Sequence, residues 1–229
     1  RKHLAGVLGV LFILALWQLA AFALPDFLMP GVPAVVQRLF EDLGKQSFHQ
    51  SLLGTLGRLG AGYGLALAAG IGFGLVAAVL FFFREVLRSA IVILQSIPSI
   101  AWVPLFILWF GIFEASKVTL IAVGVFFPVY LGVSSALLTV DRKIVEVGRI
   151  HRLTPLQTIV RILLPSTLPA FVTALRTGLG LGWMFVVAAE FMGASAGLGY
   201  LLIDGQQLGK PTQIVAAIIA FAVPVSYTH

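Results

Sequence analysis

The chain has 229 residues, of which 59% are hydrophobic and 10% are charged, and its mean hydropathy is +1.04. A soluble domain carries about 25% charged residues, so this composition excludes an ordinary soluble protein and favours an all-α, polytopic membrane protein. The net charge of +6 does not indicate nucleic-acid binding, because the basic residues lie between apolar spans, as orientation signals would. The absence of cysteine excludes disulfides and thiolate metal sites, and the four scattered histidines lack a metal-binding spacing, so we expect no metal.

The first predicted span, residues 4–24, is uncharged and long enough to cross about 30 Å of hydrocarbon. A signal peptide is the alternative, because Arg1 and Lys2 precede the run. The apolar run is too long for a signal peptide, which favours a span. An amphipathic helix that begins at Pro33 is then expected to lie along the membrane interface.

The second predicted span, residues 51–83, is rich in glycine. Gly60 with Gly64, and Gly70 with Gly74, form G-x-x-x-G pairs that allow two helix backbones to approach closely in a bilayer. The alternative is that glycine is simply commoner in membrane helices. The density of glycine favours a packing face.

The third predicted span, residues 90–112, contains Pro98 and Pro104, each of which removes a backbone hydrogen bond and bends a helix. Broken backbone at membrane depth is tolerated where it is buried in protein or lines a cavity. This span is therefore a candidate for lining a solute pathway, with a kinked packing helix as the alternative.

The fourth predicted span, residues 118–140, follows a short polar turn at residues 114–117. The fifth, residues 167–192, contains a small-residue pair and two ionisable residues, Arg176 and Glu190. These two are about 21 Å apart along a helix, so they cannot pair with each other. Both are pathway candidates, because a charge within a membrane is usually paired or functional; snorkelling to opposite interfaces is the alternative. The small-residue pair is Gly178 and Gly182.

The glycine-rich residues 193–211 are expected to form a surface or re-entrant segment with one helical turn. The sixth span begins at residue 212, but after residue 223 it would need about eight to ten more residues to cross the bilayer, so residues 212–229 are expected to be a truncated span. We expect that the natural C-terminus is missing and that the last five or six residues are not native.

A polar stretch, residues 141–165, separates the fourth and fifth spans, and we call it the elbow. It contains five of the fifteen basic residues. Thr154 is a good N-cap with Pro155 at the first helical position, so a short helix, a break and a second helix are predicted. A solvated loop that only orients the protein is the alternative. Nine basic residues near span ends lie on the side of the elbow and four on the other, which places the N-terminus and the elbow in the cytoplasm.

The chain has no G-x-x-x-x-G-K-[ST] motif and no Ser/His/Asp arrangement in one water-accessible segment. We therefore expect neither a P-loop for ATP nor an enzymatic site, and no bound cofactor.

The elbow resembles the EAA loop of the inner-membrane permease subunits of binding-protein-dependent ABC importers. Glu146, Ile162 and Leu164-Pro165 match that pattern at the family's offsets, whereas Val147-Gly148 replaces Ala-Ala. Arg152 replaces the glycine between the two helices, where a positive φ is expected, so the turn is expected to be altered. The resemblance implies a coupling loop that docks on the ATPase subunit, with these coupling residues: Glu146, Gly148, Arg149, Ile150, Arg152, Ile162 and Pro165.

Most of the chain, including SIPSIAWVPLFILWFGIFEASKV and LRTGLGLGWMFVVAAEFMGASAGLGYLL, is similar to permeases for nitrate, sulfonate, taurine or bicarbonate, and above all for aliphatic sulfonates and taurine. The resemblance implies one type I permease domain over residues 1–229 in a bacterial inner membrane. Its implied partners are a second permease copy, two ATPase subunits that bind ATP and an extracytoplasmic substrate-binding protein. In this hypothesis the solute passes by weak polar contacts. A secondary transporter and a transport-incompetent scaffold are the alternatives.

Overall fold

The computed structural model describes residues 2–140, 146 and 150–228, and every regular element in this part of the chain is helical. The helices are α1 (Lys2–Ala23), α2 (Val32–Leu43), α3 (Gln46–Val79), α4 (Phe81–Gln95), α5 (Val103–Phe110), α6 (Glu114–Leu138), α7 (Pro155–Thr158), α8 (Leu164–Glu190), α9 (Leu198–Gln207) and α10 (Pro211–Thr228). A 3₁₀ turn, Ser99–Trp102, precedes α5, and a π-helix, Ile159–Leu163, joins α7 to α8.

The chain divides into two compact units. One contains residues 1–55 and 193–227, and the other contains residues 56–192 and 228–229. Among the described residues, four helices are long and apolar enough to cross a membrane, and a bent pair formed by α4 and the segment through α5 is a fifth candidate. α10 is a shorter apolar helix.

In the first unit, the connection from α1 to α2 is fixed by side chains of α1. The indole Nε1 of Trp17 donates to the carbonyl oxygen of Pro30 at 3.0 Å, and the amide of Val32 donates to Gln18 Oε1 at 2.9 Å. α2 begins one residue before Pro33, as the amphipathic pattern predicts, because proline's fixed φ suits the first helical turn.

In the second unit, glycines of α3 pack against α6. A Cβ on Gly62, Gly70 or Gly74 would lie 2.6–2.8 Å from a side-chain atom of α6, on Ile121, Val129 and Val133 respectively. Each pair is separated by 59 residues, so the two helices run parallel in fixed register.

The two predicted glycine pairs of α3 differ in what they contact. Gly70 and Gly74 belong to this packing face, and their predicted role is confirmed. No atom outside the local helix backbone lies within 4 Å of a Cβ placed on Gly60 or Gly64, so that pair packs against nothing in the described chain. A one-dimensional spacing identifies small residues, but it does not say which side of the helix has a neighbour.

The helix α8 runs antiparallel to α6 and uses its own glycines. A Cβ on Gly178 would meet Val129 at 2.8 Å, and one on Gly182 would meet Leu59 of α3 at 2.8 Å and Val125 at 3.5 Å. The predicted Gly178–Gly182 packing pair is therefore confirmed, and it brings α8 against both other helices. α6 is the central helix of this unit, with Leu120, Ile121 and Val125 fully buried.

The segment between α3 and α6 departs from the predicted single kinked span. α3 stops at Val79, and the two arms, Arg88–Gln95 and Ser99–Phe110, are bent by 89°. Pro98 marks the break, but Pro104 lies at the start of α5, where its missing amide costs no helical bond, so Pro104 does not bend a helix. Because α3 and α6 are parallel, this segment must return the chain from one end of the pair to the other.

Two smaller expectations were wrong. Residues 114–117 form the first turn of α6 and not a polar turn, with Ser116 and Lys117 buried. α9 has 10 residues and not a single helical turn, and Gly197 and Gly209 near its two ends have positive φ.

Candidate coupling surface and solute pathway

The second half of the elbow begins with a reciprocal cap. The amide of Gln157 donates to Thr154 Oγ1 at 3.3 Å, and the amide of Thr154 donates to Gln157 Oε1 at 3.0 Å. This is a capping box, which satisfies two amides that a helix start leaves without partners. The predicted N-cap at Thr154 is confirmed, and α7 begins at Pro155 as expected.

The turn before this cap uses a left-handed residue. Arg152 has a φ of +52°, and it is the one described residue other than glycine with a positive φ. A non-glycine residue pays about 1–2 kcal/mol for this conformation. Arg152 thus adopts the backbone conformation for which the glycine of the EAA pattern is suited, and residues 147–149 before it lie outside the described residues.

The elbow passes into α8 without a break. The π-helix Ile159–Leu163 is closed by the amide of Leu164, which donates to the carbonyl oxygen of Ile159. Pro165 follows directly, and a proline in a regular helix lacks an amide and collides with the carbonyl four residues earlier. We attribute the wide turn to Pro165, because an i+5 pattern gives the preceding carbonyls more room.

The described residues of the elbow form an exposed surface that contains both apolar and charged side chains. Ile150 is 78% exposed, and Glu146, Arg152 and Pro165 are also exposed, whereas Ile162 is half-buried. Gly148 and Arg149 lie outside the described residues. Ile150 is a large apolar side chain near charged groups, four residues before the N-cap at Thr154, and such an exposed residue is suited to docking against another protein.

At the far end of α6 and α8 from the elbow, an ion network joins three helices. Arg58 of α3 donates from Nη1 to Glu190 Oε1 at 2.8 Å, from Nε to Glu114 Oε2 at 2.6 Å and from Nη2 to Glu114 Oε1 at 2.9 Å. The Arg58 side chain is 9% exposed and that of Glu190 is 0% exposed. A guanidinium held bidentately by one carboxylate and bonded to a second satisfies most of its donors, which makes its burial tolerable.

A second cation balances the network. Lys117 Nζ donates to Glu114 Oε1 at 3.2 Å and to the carbonyl oxygen of Ile112 at 3.2 Å. Two cations thus meet two carboxylates, and Glu114, whose side chain is 60% exposed, is the member that faces outward.

This network changes the interpretation of Glu190. Its carboxylate is fully buried and paired, so a solute cannot reach it in this conformation. The snorkelling alternative for Glu190 is also wrong, because the side chain points into the protein. The sequence alone does not pair Glu190 with Arg58, because their contact joins residues 132 positions apart.

The other pathway candidates are exposed in the single chain. Pro98 and Pro104 lie on the surface of the bent segment, and Arg176 is exposed on α8. Among the described residues, none forms a hydrogen bond or an ion pair with Arg176. The two ionisable candidates of the fifth span therefore differ in exposure: Glu190 is buried in an ion network, whereas the side chain of Arg176 is exposed.

Comparison with known proteins decides the family. Residues 70–227 match the model of the family described as "Binding-protein-dependent transport system inner membrane component". The chain belongs to this family. It is a permease subunit of an ABC importer, and the permease subunits of this family are non-catalytic, with ATP hydrolysis in a separate subunit.

Curated relatives match the permease over nearly its whole length. The putative aliphatic sulfonates transport permease of Bacillus subtilis is 34% identical over 97% of this chain and 83% of its own. The taurine transport system permease of Escherichia coli is 30% identical, over 95% of this chain and 81% of its own. The nitrate import permease of Synechococcus elongatus is 29% identical, over 95% of this chain and 83% of its own.

A solved structure supports the fold. An inward-facing conformation of the MetNI methionine ABC transporter has a TM-score of 0.70 with 20% sequence identity, and the match covers 80% of this chain and 94% of the other. The predicted type I importer fold is confirmed by this likeness.

Proposed function

We propose that this permease imports a small oxyanion, with an aliphatic sulfonate or taurine as first choice and nitrate or bicarbonate as second. Two copies would form the transmembrane channel with two ATPase subunits, and an extracytoplasmic binding protein would deliver the solute. The names of the relatives support this class of solute, and their differences leave the individual solute to be measured.

The observation that carries the proposal is the elbow. Its described residues include an exposed apolar side chain, Ile150, and an exposed carboxylate, Glu146, which precede the capped start of α7 between α6 and α8. The chain has no P-loop, so a permease of this kind requires an external motor, and this surface is suited to receive it.

The orientation follows from charge. The excess of basic residues on the side of the elbow favours a cytoplasmic elbow and N-terminus. The ion network of Arg58, Glu114 and Glu190 would then lie at the extracytoplasmic end, because it is at the opposite ends of α6 and α8.

The mechanism we infer is a rigid-body one. Closure of the ATPase dimer would draw the two elbows together, and the continuous helical path from α7 into α8 would transmit the displacement to the spans. The ion network would keep α3, α6 and α8 together at their other end while the pathway between the copies opens and closes.

The test is co-purification of the permease with its ATPase subunit in detergent, followed by uptake in proteoliposomes. Charge reversal at both Glu146 and Arg149 should abolish the complex and ATP-driven uptake. A complex and uptake rate equal to those of the wild type would remove the docking proposal. Uptake that persists without ATP but collapses with the proton gradient would support a secondary transporter, and an absence of both complex and uptake would support a scaffold.

A further inference from the structure

The exposed side of α8 carries a polar sector beside Arg176. Ser166, Thr173 and Thr177 are exposed with Arg176, and the small Ala170 is exposed among them. At about 100° per residue, these positions fall within a sector of about 120° on one side of the helix, which also contains the exposed Pro169 and Met184. The opposite side of α8 is the one that carries Gly178 and Gly182 against α3 and α6.

The threonine hydroxyl groups of this sector donate their protons to the helix backbone, so their oxygens can act only as hydrogen-bond acceptors toward other groups. Thr173 Oγ1 donates to the carbonyl oxygen of Pro169 at 3.0 Å, and Thr177 Oγ1 donates to that of Thr173 at 3.0 Å. With their protons used in the helix, the oxygens still offer lone pairs to water. Arg176 is the one exposed cation of the sector among the residues described. Its guanidinium contributes five N–H donors and no acceptor.

A lipid contact suits this sector poorly. A guanidinium facing hydrocarbon is costly, and ionisable residues in spans therefore face a bundle interior or a water-filled cavity. Arg176 lies about 21 Å along the helix from Glu190, and the described residues give it no ion pair. The group that neutralises it must therefore come from outside this part of the chain.

We propose that this sector of α8 lines the aqueous solute pathway and that Arg176 binds the negatively charged head of the solute as it passes. The inference rests on the proposed function and replaces the expectation that the solute meets weak polar contacts alone. The planar guanidinium matches two oxygens of a sulfonate, nitrate or bicarbonate group bidentately. Because the side chain is exposed to water and has no enclosing cage, the anion is bound weakly enough to leave.

The first experiment measures whether the polar sector of α8 is accessible to water. The chain has no cysteine, so a single introduced thiol is the one site for a water-soluble methanethiosulfonate reagent. Thr173→Cys is the test position, and Leu168→Cys, which is apolar, 58% exposed and about 140° away on the same helix, is the matched control. Rapid modification of the first and slow modification of the second is expected. Equal rates, or no modification of Thr173→Cys, would overturn the proposal.

The second experiment tests the charge. In the complex with its ATPase, Arg176→Cys should lower uptake of ethanesulfonate, taurine and nitrate about tenfold or more, because a charge-assisted hydrogen bond is lost. A reagent that attaches a trimethylammonium group should restore part of the uptake, and one that attaches a sulfonate should not. A purely structural role for Arg176 would predict no difference between the two reagents, and that result would overturn the proposal.

Two controls separate the failure of this inference from that of the proposed function. If the wild-type complex imports none of the three anions, the proposed function fails. If the wild type imports them and Arg176→Cys does so equally well, this inference alone fails. Should Arg176→Cys not assemble, Arg176→Lys keeps the charge and is expected to retain uptake, and its complete loss of uptake in an assembled complex would count against an electrostatic role.

Discussion

Arg58 and Glu190, which are 132 residues apart in sequence, are joined by a 2.8 Å hydrogen bond from Nη1 to Oε1. The contact ties α3 to α8, and Glu114 at the start of α6 binds the same guanidinium. The burial of a carboxylate in a membrane span is thus explained by a cationic partner on another helix.

Replacing Arg58 with glutamine should destabilise the permease by about 3–5 kcal/mol, because Glu190 would remain buried without a cation. Unfolding by heat or denaturant in detergent measures the change. The matched control is Lys45→Gln, which removes the pair with Asp42 at a lysine side chain that is 47% exposed. The Lys45→Gln control should lower the free energy of unfolding by at most about 1 kcal/mol. Similar losses for both variants would show that the Arg58 network adds nothing beyond a surface ion pair.

Gly62→Ala should lower the free energy of unfolding and Gly60→Ala should not, although the two residues lie two positions apart. A Cβ on Gly62 would lie 2.6 Å from Ile121, so overpacking of about 1–3 kcal/mol is expected. A Cβ on Gly60 meets nothing within 4 Å, and alanine there should be neutral or should stabilise the helix by up to about 1 kcal/mol. Unfolding midpoints of the two variants check this, and a loss at Gly60 equal to that at Gly62 would contradict the α3–α6 packing.

Arg152→Gly should preserve or improve association with the ATPase, since glycine adopts a φ of +52° without steric cost. Arg152→Val should weaken association, because a β-branched residue is a true outlier in the left-handed region. Arg152→Lys is the control that keeps both the charge and the ordinary side-chain branching. If glycine and valine weaken association equally while lysine preserves it, the side-chain charge matters and the backbone conformation does not.

Ile150→Asp should lower association with the ATPase about tenfold or more while leaving the unfolding midpoint of the permease unchanged, because the side chain is 78% exposed. Leu28→Asp is the matched control, an exposed apolar residue outside the helices, between α1 and α2. It should leave association intact. Equal binding by Ile150→Asp and the wild type, measured by co-purification, would exclude Ile150 from the docking surface.

Local signals in the sequence predicted the structure well where one segment contains the whole cause. Thr154 and Pro155 are adjacent to the helix start that they determine, and Pro33 is within one residue of the start of α2. The bend of the third segment was predicted at Pro98, but Pro104 was assigned a second bend that is absent. A proline bends a helix in its interior and fits at its start, and the sequence did not show which applied.

The site was predicted less completely than the fold. Arg176 and Glu190 have the same signature, a charge in an apolar run, yet one is exposed and the other is fully buried. The difference depends on which side of α8 meets α3, and a one-dimensional pattern does not contain that information.

Composition, hydrophobic length and the EAA-like spacing by themselves determined that this is an all-α membrane permease with an elbow between two spans, because these features depend on residues close together in the chain. The tertiary structure alone decided that α3 and α6 are parallel, that Gly70 packs while Gly60 does not, and that Arg58 neutralises Glu190. Those outcomes depend on the faces that distant helices present to one another, and burial of charge and close packing of glycine are properties of such pairs and not of either sequence segment.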